Sequence, residues 1–220
     1  NTTGLVAVGT ATVADSLYAI KRLVYDEKKL TLGELTEILR NNFEGQEYLR
    51  QFILNRFEKF GNDQDCVDRL AVGITDAFAD ELEKHHNSRG GAFWGALYSV
   101  SAQVGLGNVC CATPDGRLDG LPLSDGLTPM YGMDRNGPTA VLASLSKIHQ
   151  KRFPNGIIVN QRMSGSLFKT PEGREKMAQL LRAFVAAGCF HWQFNIVDNK
   201  VLLAAQKDPD EYRSLVVRVA

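Results

Sequence analysis

The stretch that decides the fold is CFHWQFNIVDNKVLLAAQKDPDEYRSLVVRVA, residues 189–220. It opens with strict alternation. His191, Gln193 and Asn195 fall on one face and Trp192, Phe194 and Ile196 on the other. That period of two belongs to a β-strand with two unlike environments. A strand half open to water would carry Lys, Glu or Thr on its polar side. Uncharged hydrogen-bonding groups suit an enclosed polar cavity better. A short helix is expected over Val201–Lys207, then a turn at Asp208-Pro209 with Asp208 as cap. Leu215–Ala220, LVVRVA, reads as a second strand, apolar except for Arg218.

Upstream of this stretch the same alternation of element types continues. Pro171–Ala187 reads as a helix with proline at its first position, where no backbone N–H is missed. Gly156–Arg162, GIIVNQR, reads as a strand, and Thr139–Ile148 as a helix capped by Thr139. Residues 112–140 are turn-rich, with Pro and Gly punctuating ATPDGR, LPLSDGLTPMYGMD and NGPTA. AFWGALYSVSAQVGLG, from Ala92, alternates large and small residues and reads as a buried strand followed by a Gly-rich turn.

The first 87 residues differ in being mostly helical. Helices are expected at Ala14–Glu27, at Leu32–Asn42 behind a Thr31/Glu34 capping box, at Glu47–Phe60, and at Asp65–His86. Asn1–Thr10 is small and Gly-rich, a loop or the tail of a strand. Strands alternating with helices argue for an α/β fold with parallel strands and helices outside. The reading is of one unit over residues 1–220, with residues 1–87 helical and 88–220 alternating strand, loop and helix.

Composition excludes several classes. At 44% apolar and 23% charged the chain is globular, and 220 residues are enough for a real core. Zero net charge gives no electrostatic case for nucleic acid or an anionic membrane. No apolar run approaches the ~20 residues that span a bilayer. The start lacks a signal peptide's basic region and lacks an initiator Met, as expected of a piece of a longer protein. Cys66, Cys110, Cys111 and Cys189 form no CxxC, so neither a disulfide framework nor a zinc site is indicated. A cytoplasmic location is the default.

Taken together, GCFHWQFN, the helix after it, DPDEYRSLVVRVA, ADSL (residues 14–17), ATPDGR (112–117) and GPTA (137–140) resemble the glycyl radical enzymes. This family holds pyruvate formate-lyase, the glycerol and diol dehydratases and choline lyase. Its phrase RVAGY carries the glycine that stores the radical. Arg218, Val219 and Ala220 match its first three letters, which places the radical glycine immediately after Ala220. The resemblance implies the C-terminal part of a ten-stranded α/β barrel with a helical N-terminal segment. It also implies a hydrogen-abstracting cysteine upstream of Asn1, so none of the four cysteines here is catalytic. A partner activase using S-adenosylmethionine and an iron–sulfur cluster would install the radical, and a C–C, C–O or C–N bond of a small-molecule substrate would be cleaved. A homodimer is implied for the parent, with no directly bound cofactor and no metal.

Several residues carry competing local readings. Asp15 caps a helix or faces a cavity, capping being favoured. Arg117 binds an anion, or pairs with Asp115 or Asp119. Cys110-Cys111 packs beside a Gly-rich turn or forms a reactive pair, packing being favoured. GLGNVC (105–110) lacks the third glycine of a dinucleotide fingerprint. His191, Gln193, Asn195 and Arg218 stand near the expected radical loop or satisfy neighbouring backbone in a barrel interior. Two rival functions remain at this stage: a non-catalytic truncated piece or complementing subunit, and an unrelated cytosolic α/β small-molecule-binding domain.

Overall fold

The computed structural model describes residues 1–212; the expected closing strand at 215–220, with Arg218, lies outside the described residues. Strand β1 (Thr3–Val6) leads into helix α1 (Thr10–Ile20), which continues as a π-helical turn over Lys21–Asp26. The helix starts four residues before the expected Ala14. Gly9 turns the chain at φ 87°, and Thr10, Ala11 and Thr12 are already buried. These side chains are too small to register as a large apolar stripe, which is why the sequence hides the first turn. Helix α2 (Leu32–Arg40) is capped as expected: Glu34 N–H donates to Thr31 Oγ1 at 3.2 Å, and Thr31 N–H donates to Glu34 Oε2 at 2.7 Å. Helices α3 (Glu47–Arg56) and α4 (Asp65–Glu83) follow, each ending short of its expected limit.

The second half alternates. Strand β2 (Phe93–Ala96) precedes α5 (Ala102–Asn108), then come α6 (Gly137–Ser146), β3 (Val159–Met163), α7 (Pro171–Ala186), β4 (Trp192–Ile196) and α8 (Asn199–Lys207). The Gly-rich turn expected after β2 is helix α5. Its Gly107 serves close approach, since an added Cβ would collide with the Leu121 carbonyl. Helix α6 begins at Gly137 with Pro138 in its first turn, so Thr139 lies inside it and is not its cap.

Among the described residues the named strands pair in parallel, and a single antiparallel bridge joins His86 to Ala92. β1 pairs with β2 in the register Thr3–Phe93, and β3 pairs with β4 in the register Val159–Trp192. One parallel bridge, Leu97 with Ile157, joins the two pairs. Leu97 N–H donates to Gly156 O at 2.9 Å and Ile158 N–H to Leu97 O at 3.0 Å. The strands form two two-stranded parallel sheets, β1-β2 and β3-β4, set side by side by the Leu97–Ile157 bridge, the α/β arrangement that the alternation predicts. One apolar cluster runs through both halves, from Ala11, Ala14 and Ala71 where α1 packs along α4, to Leu127, Leu145, Val159 and Trp192. Alanines at the α1–α4 contact let the two backbones approach closely.

Candidate functional site

The register of β3 and β4 makes one polar surface out of two strands. Asn160 sits beside Gln193, and Arg162 beside Asn195. Registered neighbours in a parallel pair point to the same face, so these four polar residues form a stripe. The opposite face pairs Val159 with Trp192, Gln161 with Phe194 and Met163 with Ile196, so it is apolar but for the buried Gln161. Trp192 is buried there, its ring 5.2 Å from Phe184 and 5.1 Å from Phe194. The expected alternation is thus present, with unequal burial along it. Asn195 is buried, Gln193 half-buried, and His191, one residue before β4, is exposed. His191 contributes its carbonyl to the sheet, accepting from Val159 N–H at 3.2 Å.

A cavity of about 640 Å³ opens where β3 and β4 end. Asn160 and Arg162 line it from β3, Asp198 and Lys200 from the start of α8, and Thr128 and Asp134 from the turn-rich segment. The carboxyl ends of parallel strands are where α/β sheets place their ligands. The walls are tied together by side chains. Asn160 Nδ2 donates to Asp125 Oδ2 at 2.6 Å, Gln161 Nε2 donates to Asp134 Oδ2 at 2.8 Å, and Asn160 N–H donates to Thr128 Oγ1 at 2.9 Å. Gly165 N–H donates to Asp198 Oδ1 at 3.0 Å. Asp125 Oδ1 and Asn160 Oδ1 are buried without a hydrogen-bond partner. A ligand hydroxyl or a water reaching them would relieve that desolvation cost. Gln193 and Asn195, singled out by the sequence, share the strand face but do not line the cavity, whereas Asn160 and Arg162, which do, are not singled out by it. Three polar residues in a row, Asn160-Gln161-Arg162, carry no alternation, so the sequence does not say which of them share the face of β4's polar residues.

The ATPDGR turn has a definite structural task. Thr113 N–H donates to Arg117 O at 3.0 Å, and Gly116 takes φ 98° to close the turn. Arg117 is buried and pairs with neither Asp115 nor Asp119. Its guanidinium donates to the carbonyls of Cys110, Cys111, Leu118 and Leu121 and to Thr113 Oγ1. Its five donors are consumed internally, so it has none left for an anion. Asp15 caps nothing in its own helix. It is buried, its Oδ1 accepts Phe60 N–H at 2.8 Å, and burial pushes its pKa up to about 8. Cys111 is exposed and Cys110 half-buried; both are free thiols. Among the described residues no group of three or more His, Cys, Asp or Glu is placed to hold a metal ion, and no helix is long and apolar enough to cross a membrane.

A parallel α/β sheet with a polar cavity at its strand ends defines the class, and comparison with known proteins narrows it. The family model described as Pyruvate formate lyase-like matches residues 1–107, and the Glycine radical model matches residues 123–220. The trans-4-hydroxy-L-proline dehydratase of Clostridioides difficile is 38% identical over 220 residues, covering 100% of this chain and 28% of that protein. The isethionate sulfite-lyase of Oleidesulfovibrio alaskensis is 40% identical over 216 residues, covering 97% of this chain and 26% of that one. The glycerol-bound structure of the B12-independent glycerol dehydratase from Clostridium butyricum superposes with a TM-score of 0.92 at 42% identity, covering 100% of this chain and 28% of that one. The chain belongs to the glycyl radical enzyme family, and its fold is part of that family's barrel. It spans little more than a quarter of the length of these relatives. Membership removes the rival reading of an unrelated α/β binding domain.

Proposed function

We propose that the chain is the C-terminal portion of a glycyl radical enzyme of the dehydratase and lyase type, acting on a small molecule. The observation that carries this reading is the Glycine radical match over residues 123–220, a span that contains the whole polar stripe and most of the cavity wall. The similar proteins named above act on hydroxylated or sulfonated small molecules, which supports a C–O or C–S bond as the one broken. When present, the radical supplies hydrogen-atom abstraction. This chain's residues supply the enclosure: a packed apolar face on one side of β3 and β4 and fixed hydrogen-bonding groups on the other, in a space where solvent is limited. Asn160 and Arg162 wall the polar cavity, and Gln193 and Asn195 stand beside them on β4, near the radical loop. His191 and Arg218 flank the same strand–helix–strand segment in sequence. Residues 1–220 act as one unit of a cytoplasmic homodimeric parent, activated by an S-adenosylmethionine and iron–sulfur activase.

Reading the gene across both ends tests this first. A glycine codon after Ala220 and a cysteine loop upstream are expected. The complete protein, incubated anaerobically with its activase, should then give a glycyl radical signal by electron paramagnetic resonance. Turnover is then assayed with glycerol, 1,2-propanediol, trans-4-hydroxy-L-proline and isethionate. A residue other than glycine at that position overturns the radical mechanism and leaves the family fold.

A further inference from the structure

A second cavity lies beside the ATPDGR turn, with Met130 and Tyr131 shared between its wall and that of the first, and its buried polar groups have no part in the function proposed above. It encloses about 480 Å³. Leu54, Leu121, Pro122 and Met133 make it mainly apolar, and Asp15 and Lys59 bring the buried polar atoms to its wall. Both side chains are almost wholly buried, at 1% and 3% exposure. Asp15 Oδ1 is occupied by Phe60 N–H, while Oδ2 has no hydrogen-bond partner. Among the described residues Lys59 Nζ donates one hydrogen bond, to Asp115 O at 2.8 Å, out of the three an ammonium group can make. Lys59 and Asp15 feel each other's charge, but among the described residues no hydrogen bond or ion pair joins them. An unused carboxyl oxygen and an under-used ammonium group therefore line one greasy cavity without satisfying each other. Buried polar atoms rarely stay so.

We propose that this cavity is a binding site for a short-chain aliphatic monocarboxylate, whose head group bridges Lys59 Nζ and the unpartnered Asp15 Oδ2 and whose tail lies against Leu54 and Met133. The choice of charge follows from the neighbours. The positive groups at the cavity are Lys59, Arg50 and Arg117; the negative ones are Asp115 at the wall and Asp68 behind α1. Arg50 is paired to Glu47, and Arg117 is wrapped in carbonyls beside Asp115. Burial keeps Asp15 protonated up to about pH 8, so it donates from Oδ2 and leaves Asp115 as the one charged carboxylate at the wall for both Lys59 and Arg117; burial and the nearby Arg135 push Lys59 down, and a bound carboxylate would offset that. Two convergent donors and an apolar body fit a carboxylate with a short alkyl chain. An amine would meet Lys59 as a like charge.

The test titrates the full 220-residue chain with butyrate, and with butylamine as the opposite-charge probe, by calorimetry at pH 7. Butyrate is expected to bind and butylamine not. Lys59→Met should weaken butyrate about tenfold or more, the size of one charge-assisted hydrogen bond. Asp15→Asn keeps a donor at the Oδ2 position and should retain binding. In the wild type binding should fade as pH rises past about 8, and in Asp15→Asn it should persist. Leu54→Trp fills the cavity without touching either polar group and should abolish binding in a chain whose melting is unchanged, which separates a lost site from a lost fold. Butylamine binding in place of butyrate, butyrate binding that survives Leu54→Trp, or no binding by a folded wild type would each overturn the site and leave the cavity to water.

Discussion

A carboxyl group buried as deeply as that of Asp15 keeps its proton to about pH 8, because desolvation penalises the charged form more than Lys59 offsets it. The unfolded chain ionises the same group near 3.8. The stability it contributes is therefore fully present below 3.8 and is lost as pH rises toward 8, at up to about 1.4 kcal/mol per pH unit in that window. Asp15→Asn keeps the acceptor for Phe60 N–H and removes the titration. Urea denaturation across that pH range should give a flatter profile for the variant, with its greatest relative gain at the alkaline end. Equal slopes for the two proteins would show that Asp15 ionises in the folded state as it does in the unfolded one. Arg117 makes the complementary case. Its planar fork reaches four carbonyls at once, which a lysine ammonium on a single point of attachment does not reproduce. Arg117→Lys should cost about 2–4 kcal/mol by leaving buried carbonyls unpaired. Thermal melting reads that loss, and a change within error of zero would mean that water replaces the guanidinium.

At the scale of elements, signals written within one segment came through and signals that need a second segment did not. The Thr31/Glu34 capping box, the proline at the start of α7 and the alternation of β4 are local, and each stands where the sequence puts it. Thr31→Ala should remove the bond from Glu34 N–H to Thr31 Oγ1, leave the backbone N–H of position 31 on Glu34 Oε2, and cost about 1 kcal/mol, seen as faster amide exchange in the first turn of α2. Exchange that stays at the wild-type rate would mean Glu34 alone holds that turn. Asp15 shows the other case. ADSL looks like a helix start, yet its carboxylate is used by Phe60, 45 residues away. Arg117 likewise looks like one half of a surface ion pair and is instead the buried hub of its own loop. Helix α5 was hidden because glycine in sequence says turn, whereas Gly107 is there to let the Leu121 carbonyl pass. The polar strand face was half legible. The alternation on β4 announced Gln193 and Asn195, but only the strand register brings Asn160 and Arg162 beside them.

The whole molecule presents a sheet that begins abruptly. Among the described residues β1 pairs on one side only, with β2. All four of its residues are exposed, Leu5 at 39% and Val6 at 43%, and Trp94 beside them on β2 stands at 42%. Val13 and Leu17 on α1 extend the same apolar exposure. An unpaired row of N–H and C=O groups flanked by apolar side chains is a template for another strand. Natural edges blunt this with lysine, proline or a bulge, and β1 has none of these over Thr3–Val6. The isolated chain should therefore pair through β1 and elute on a sizing column well above its 24.3 kDa, increasingly so at higher concentration. Val6→Lys places a charge on the edge without touching the core and should shift the chain toward the monomer, with melting temperature little changed. If the variant associates as strongly as the wild type, the contact lies elsewhere, and the apolar surface of α5 and its flanks, with Val100 and Val109 each 81% exposed, is the next place to put the lysine. If the variant is monomeric, β1 is the edge at which a further strand of the barrel would add, and a peptide supplying a parallel strand should suppress association of the wild type in the same assay.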